Sequence, residues 1–240
     1  MTTIGARLWS SARLATMLLI AVPACNDGLA AGDDPGSGTA TLLVNADVIA
    51  TPLIANAQHA ADFNTAFTVD VTRAAVPVAI DSITVESDAG IVTLARDGAL
   101  GIRWRGAQSG YHQIYRLTIE AGADNVRDVQ VDGPALHYFS APLPGATVDP
   151  TMPLVVTWKR SEAAPIATLE TRELNSIAIG DAGTYTVPIG GLKSKDNEVE
   201  QERIRVDRAA RVSPAGALVG SDVRVLVRNE VEVVVAPTGP

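Results

Sequence analysis

Apolar and polar residues alternate with a period of two along most of this chain. Phe67, Val69 and Val71 fall on one side of 66–71, with Thr68 and Asp70 on the other. The same alternation passes through Ile83 and Val85, through 101–105, through Tyr115, Leu117 and Ile119, and through Val129 and Val131. Period two is the signature of a strand with one face on a core. Turn residues separate these runs: Asp88-Ala89-Gly90, Asp97-Gly98, Gly122 and Asp132-Gly133-Pro134. Only 52–64 departs from the pattern. It is rich in alanine with a weak apolar stripe, and reads as a loop or one short helix.

Two prolines and a glycine in Pro142-Leu143-Pro144-Gly145 disfavour a continuous paired strand and mark a boundary. A second β-rich block follows. Its runs are 154–158, 166–171, Ile177 with Ile179, Tyr185 with Val187, and Ile204 with Val206. It closes with Val223, Val225 and Val227, then Val231, Val233 and Val235, and Asn229-Glu230 reads as a turn or bulge between the last two runs. Many short strands at a spacing of about 8–12 residues indicate a sandwich or barrel. The expectation is an all-β protein with two tandem sandwiches, 39–143 and 144–236, and a tail at 237–240.

The first residues have another character. Arg7 and Arg13 precede nine residues, Leu14 to Val22, that are apolar except for Thr16. That length suits the h-region of a signal peptide and falls short of the ~20 residues that span a bilayer. Residues 1–24 therefore read as a cleaved leader. Asn26 to Gly38, NDGLAAGDDPGSG, has no apolar periodicity and reads as a flexible tether, with a root-mean-square span of about 20 Å.

Val22-Pro23-Ala24-Cys25 resembles a bacterial lipobox, with Pro23 the departure from the pattern. The resemblance implies that Cys25 becomes the lipid-modified N-terminus of the mature protein. Cys25 is the only cysteine, so no disulfide can form within the chain. Ordinary cleavage near Ala24 is the alternative. The second block resembles immunoglobulin-like or fibronectin-type modules of bacterial envelope proteins, on 144–148, Leu154-Val155-Val156-Thr157-Trp158 and Asp181-Ala182-Gly183-Thr184-Tyr185. The last resembles a tyrosine corner, which implies structural roles for Trp158, Asp181, Gly183 and Tyr185. Val187 stands where an antibody-type domain has its second cysteine, and Trp158 and Tyr185 are close together for strands C and F. A sandwich is thus expected, rather than the strict immunoglobulin order.

Composition narrows the function classes. The 240 residues carry 19 basic and 27 acidic side chains, a formal charge of −8, which becomes −10 once Arg7 and Arg13 leave with the leader. Such a chain is a poor binder of phosphate backbones, so no nucleic-acid partner is expected. An acidic body is repelled by anionic headgroups, so membrane attachment would rest on the anchor. No G-x-S-x-G elbow occurs, and nothing in the spacing links His59, His112 or His137 to a serine. Asp124, Asp128 and Asp132 stand about 13 Å apart per step on a strand, too far to share one ion. Calcium held between loops through Asp33-Asp34 or Asp62 remains open beside the reading of solvated carboxylates. Otherwise no metal, cofactor or catalysis is expected. Glu198, Glu200 and Glu202, followed by Arg203, Arg205 and Arg208, read as a charged strand end or, alternatively, a partner-binding loop. Trp104, Tyr111 and Tyr115, interleaved with arginines, either fill the first core or form an exposed strip that contacts a glycan or protein. Two functions follow. One is a lipid-anchored protein of the bacterial cell envelope, facing the periplasm or exterior and displaying β-sandwich modules to an unknown protein or glycan. The other is an exported carbohydrate-binding or carbohydrate-processing protein.

Overall fold

The computed structural model describes residues 32–98, 101–194 and 198–237. The chain is all-β. Its strands are β1 (Ser37–Gly38), β2 (Leu43–Pro52), β3 (Phe63–Arg73), β4 (Val76–Pro77), β5 (Ser82–Ser87), β6 (Gly90–Thr93), β7 (Ala95–Arg96), β8 (Arg103–Ser109) and β9 (Ile114–Ala121). They continue with β10 (Asp124–Asp132), β11 (His137–Ala141), β12 (Thr147–Val148), β13 (Leu154–Arg160), β14 (Ile166–Glu170), β15 (Ile177–Ala178), β16 (Thr184–Val187), β17 (Glu200–Val212) and β18 (Asp222–Val235). The alanine-rich stretch is a loop with one 3₁₀ turn, Ala60–Asp62.

One large sheet has the order β15-β14-β17-β18-β2-β3-β8-β7, with β4 paired to β3 and β12 to β18. Two smaller sheets, β1-β10-β9-β5-β6 and β11-β13-β16, complete the fold. The apolar residues form two clusters. Phe67, Val69, Val71, Ile83, Val85, Leu117 and Ile119 belong to the first, and Phe139, Val156, Trp158, Leu169, Ile204 and Val206 to the second. These are the residues whose alternation pointed inward.

The hairpin β17–β18 serves both clusters. It pairs antiparallel from Glu200↔Val235 to Val212↔Val223, and β18 pairs parallel with β2 from Asp222↔Asn45 to Val227↔Ala50. Val223, Val225 and Val227 enter the first cluster, and Val231, Val233 and Val235 the second. Asn229 is therefore not a turn or bulge. It sits inside an unbroken 14-residue strand, buried, on the same face as the six valines. Its polarity suggested a turn, but the phase of the alternation passes through it unchanged.

The glycine-rich segment also departs from expectation over the part described. Residues 32–38, read as flexible, lie along β10. Asp34 exchanges backbone hydrogen bonds of 3.1 and 2.9 Å with Gln130, and β1 continues at Ser37↔Arg127. The Gly32 N–H donates to Asp132 Oδ2 at 2.6 Å, and Gln130 Nε2 donates to the Gly32 carbonyl. Backbone pairing needs no apolar side chains, and the glycines here permit close approach. A Cβ on Gly38 would lie 2.4 Å from the Asn125 carbonyl oxygen, and one on Gly216 only 1.9 Å from the backbone of Ser37. Gly216→Ala should therefore undock the segment, at a cost of about 1–3 kcal/mol for overpacking. Hydrogen exchange should speed up at the amides of Asp34, Thr39 and Ala40 while those of β17 and β18 stay protected. Unchanged exchange at the three amides would show that the contact is not tight.

Candidate functional site

Where the two apolar clusters meet, the large sheet carries polar side chains on its inner face. On β17 the inner residues run Glu202, Ile204, Val206 and Arg208, and Arg208 is fully buried. A buried guanidinium requires a counter-charge and filled donor positions. Its Nε donates to Asp181 Oδ2 at 2.8 Å, while its two terminal nitrogens donate to the carbonyls of Ala135 and Glu162. Asp181 is as deeply buried, with its side chain 1% exposed. It also accepts from the Trp158 indole N–H at 2.9 Å and the Ala164 N–H at 2.7 Å. Burial pushes the Asp181 carboxyl up. The hydrogen bonds from Ala164, Trp158 and Arg208, with the charge of Arg208, outweigh burial and hold it below the usual carboxylate range.

Three further polar groups complete this junction. Asn229 donates from Nδ2 to the carbonyls of Ala57 and His137 and accepts the Ala57 N–H at 3.1 Å. Asn56, in the left-handed region at φ 53°, donates to the Phe139 carbonyl and accepts the Phe139 N–H at 2.7 Å. His137 is fully buried, with Nε2 3.1 Å from the Val206 carbonyl. A carbonyl can only accept, so Nε2 carries the proton. Burial first, and then the charge of Arg208, lower the His137 pKa to about 3. The imidazole is therefore neutral at ordinary pH and closed to solvent. Asp181 is held as the anion by its bonds from Ala164, Trp158 and Arg208. This constellation fastens one part of the molecule to the other.

The residues singled out from the sequence fall as follows. Trp158 and Asp181 are joined by a hydrogen bond, and Gly183, at φ 81°, accepts from the Trp158 N–H through its carbonyl. Tyr185 is half-buried against the second cluster, and its hydroxyl makes no hydrogen bond among the described residues, so the tie of a tyrosine corner is absent there. Tyr111 and Tyr115 are core residues, not parts of an exposed strip. The Tyr111 hydroxyl donates to the Pro134 carbonyl at 2.6 Å, and the Tyr115 hydroxyl accepts from the His112 N–H at 2.9 Å. Trp104 is partly buried against the same cluster. Cys25 lies outside the described residues.

At the surface, Glu170, Thr171, Arg172, Gln201, Glu202, Arg203 and Arg205 line an open cleft of about 250 Å³. Its charges are largely matched. Arg172 pairs with Glu173, Glu200 and Glu202, and Arg205 with Glu170 at 3.1 Å. Burial, then the charge of Glu173, push the Glu202 pKa up against the pull of Arg172. The charged run thus resolves by strand parity: Arg203 and Arg205 stand on the outer face, while Glu202 and Arg208 are buried. Among the described residues no group of three or more His, Cys, Asp or Glu is placed to hold a metal ion. No helix among them is long and apolar enough to cross a membrane. Compared with known protein families and with curated proteins, the chain matches none.

Removing one partner of a buried ion pair leaves an uncompensated charge, so Arg208→Met and Asp181→Leu should each cost about 3–5 kcal/mol in urea unfolding. The double variant should lose clearly less than the two losses added, and strict additivity would mean that the pair is not coupled. His137 adds a pH dependence. Its folded pKa of about 3 lies below the ordinary value of 6.5, so acid protonates the unfolded chain first. Its contribution is complete above pH 6.5 and is lost as pH falls towards 3, with a slope of up to about 1.4 kcal/mol per pH unit. His137→Gln should flatten the unfolding midpoint between pH 6.5 and 4.5. An unaltered profile would remove the histidine from that role.

Proposed function

We propose that this protein is a non-catalytic, lipid-anchored component of the bacterial cell envelope that displays a β-sandwich body for protein interaction, adhesion or scaffolding. The observation that carries the reading is Cys25, the only cysteine, at the end of a charged and then apolar leader in a lipobox-like setting. Acylation gives that thiol a use, and a multi-chain anchor is stable where a single chain is marginal, at about 0.8 kcal/mol per buried CH₂. Three features of the body suit display. Its two apolar clusters share one hairpin, its polar junction is closed to solvent, and its titratable groups at that junction are spent on structure. The carbohydrate-binding alternative relied on Trp104, Tyr111 and Tyr115. With both tyrosines in the core, no specific observation favours it.

The test compares wild type with Cys25→Ala, expressed in a bacterium. Wild type should gain a lipid mass on Cys25 and partition into the detergent phase, and the variant should remain aqueous. A soluble wild type with a free Cys25 thiol, or with a start beyond it, would sink the anchor reading.

A further inference from the structure

The outer face of the large sheet, opposite the two clusters, carries an apolar stripe that crosses its strands. Register places Ile166, Ala209, Leu226, Ile49, Ala66 and Ala107 side by side on β14, β17, β18, β2, β3 and β8. With about 4.8 Å between strands, the stripe is about 24 Å long. None of the six belongs to either cluster. The first four line a cavity of about 230 Å³, together with Asp207, Arg211, Arg224 and Arg228. Its arginines are unequally satisfied. Arg228 donates from Nε and Nη2 to Asp207 at 3.0 and 2.8 Å. Arg224 gives its Nε to Asp47 at 2.7 Å, and its terminal nitrogens make no hydrogen bond among the described residues. Arg211 donates none among them, and its ion pair with Asp222 is long, at 3.7 Å.

Arg211 and Arg224 stand directly opposite each other on β17 and β18, where like charges repel. The row continues through Asp47 and Thr68 to Arg105, so three arginines share it with one aspartate in a chain of formal charge −8. An anion between the paired guanidiniums would relieve the repulsion and accept charge-assisted hydrogen bonds from their free nitrogens. We infer that the cavity binds a free medium-chain fatty acid, with its carboxylate between Arg211 and Arg224 and its alkyl chain on the stripe. The opposed guanidiniums select against neutral and cationic amphiphiles, and the apolar floor selects against inorganic anions. At about 230 Å³ the cavity is below the about 300–1,000 Å³ of drug-sized sites, which suits one slender chain. Beyond it, Ala66 and Ala107 keep the stripe low between longer neighbours, Thr68 and Arg105 on one side and Asn64 and Ser109 on the other. Binding there requires no lipid anchor.

The experiment titrates octanoate by calorimetry into the full-length protein as purified from a bacterium, with the same buffer free of protein as the blank. Saturable binding at one site is expected, together with a rise in the thermal unfolding midpoint. Arg211→Gln and Arg224→Gln should each weaken binding about tenfold or more, since each removes a charged donor. Arg103→Gln should leave it unchanged, because Arg103 shares the face but spends its fork on Asp70. Acetate and octanol should each bind at least about tenfold more weakly than octanoate. Octanol binding as well as octanoate would remove the arginines from recognition, and acetate binding as well would remove the stripe. An equal loss in Arg103→Gln would reduce the effect to general surface charge. Each of these results would overturn the site, as would wild type showing neither saturable heat nor a raised midpoint.

Discussion

The hairpin β17–β18 is the constraint from which the rest of the fold follows. Its backbone ladder runs from Glu200↔Val235 to Val212↔Val223, and its inner face must be apolar at both ends to serve two clusters. Between those ends the two clusters meet, and there the inner face turns polar at Asn229 and Arg208, both fully buried. Strand geometry allows no choice of face, because a one-residue slip would put every valine in water. The junction therefore has to satisfy two buried polar side chains in place. It does so with the carbonyls of Ala57, Ala135, His137 and Glu162 and with the carboxylate of Asp181.

Such a junction contributes little net stability compared with an apolar seam of the same shape, since desolvating Arg208 and Asp181 offsets most of their attraction. What it supplies is position. An apolar seam tolerates sliding, whereas Asn56, Asn229 and Arg208 each demand particular carbonyls and N–H groups. The loop between β2 and β3, the turn into β11 and the segment at 162–164 are all held by these demands. The two clusters thereby keep one relative placement, which is the property a displayed body needs if several contacts are to be made at once.

Most of the strands were legible because the alternation is strict wherever one face is buried. Phe67, Val69 and Val71, or Ala167, Leu169 and Thr171, needed no tertiary knowledge. The misreadings came from side-chain type overriding phase. Asn229 looked like a turn residue, and Arg208 looked like one of a charged run. Yet both keep the parity of their valine and isoleucine neighbours, and that parity was the available signal. Gly36 and Gly38 carried none, because a glycine chosen for flexibility and one chosen for close approach look alike until Gly216 is known to lie against them. The hydrogen bonds of Asp181 were equally hidden. The motif around it suggested a tie through Tyr185, while the tie forms between Asp181, Trp158 and a residue 27 positions further on.

The parallel pairing of β2 with β18 also sets an order of events. Arg224 and Asp47 are 177 positions apart, and so are the Val44 amide and the Ser221 hydroxyl that accepts from it. The sheet begun by β2 lacks its central neighbour until β18 has emerged, so the N-terminal half cannot finish folding on its own as it is made. A sheet that stays open until β17 and β18 arrive is slow to close. For a chain that is exported, as proposed above, that delay keeps it threadable through a translocation pore and postpones closure of the sheet until β18 has crossed.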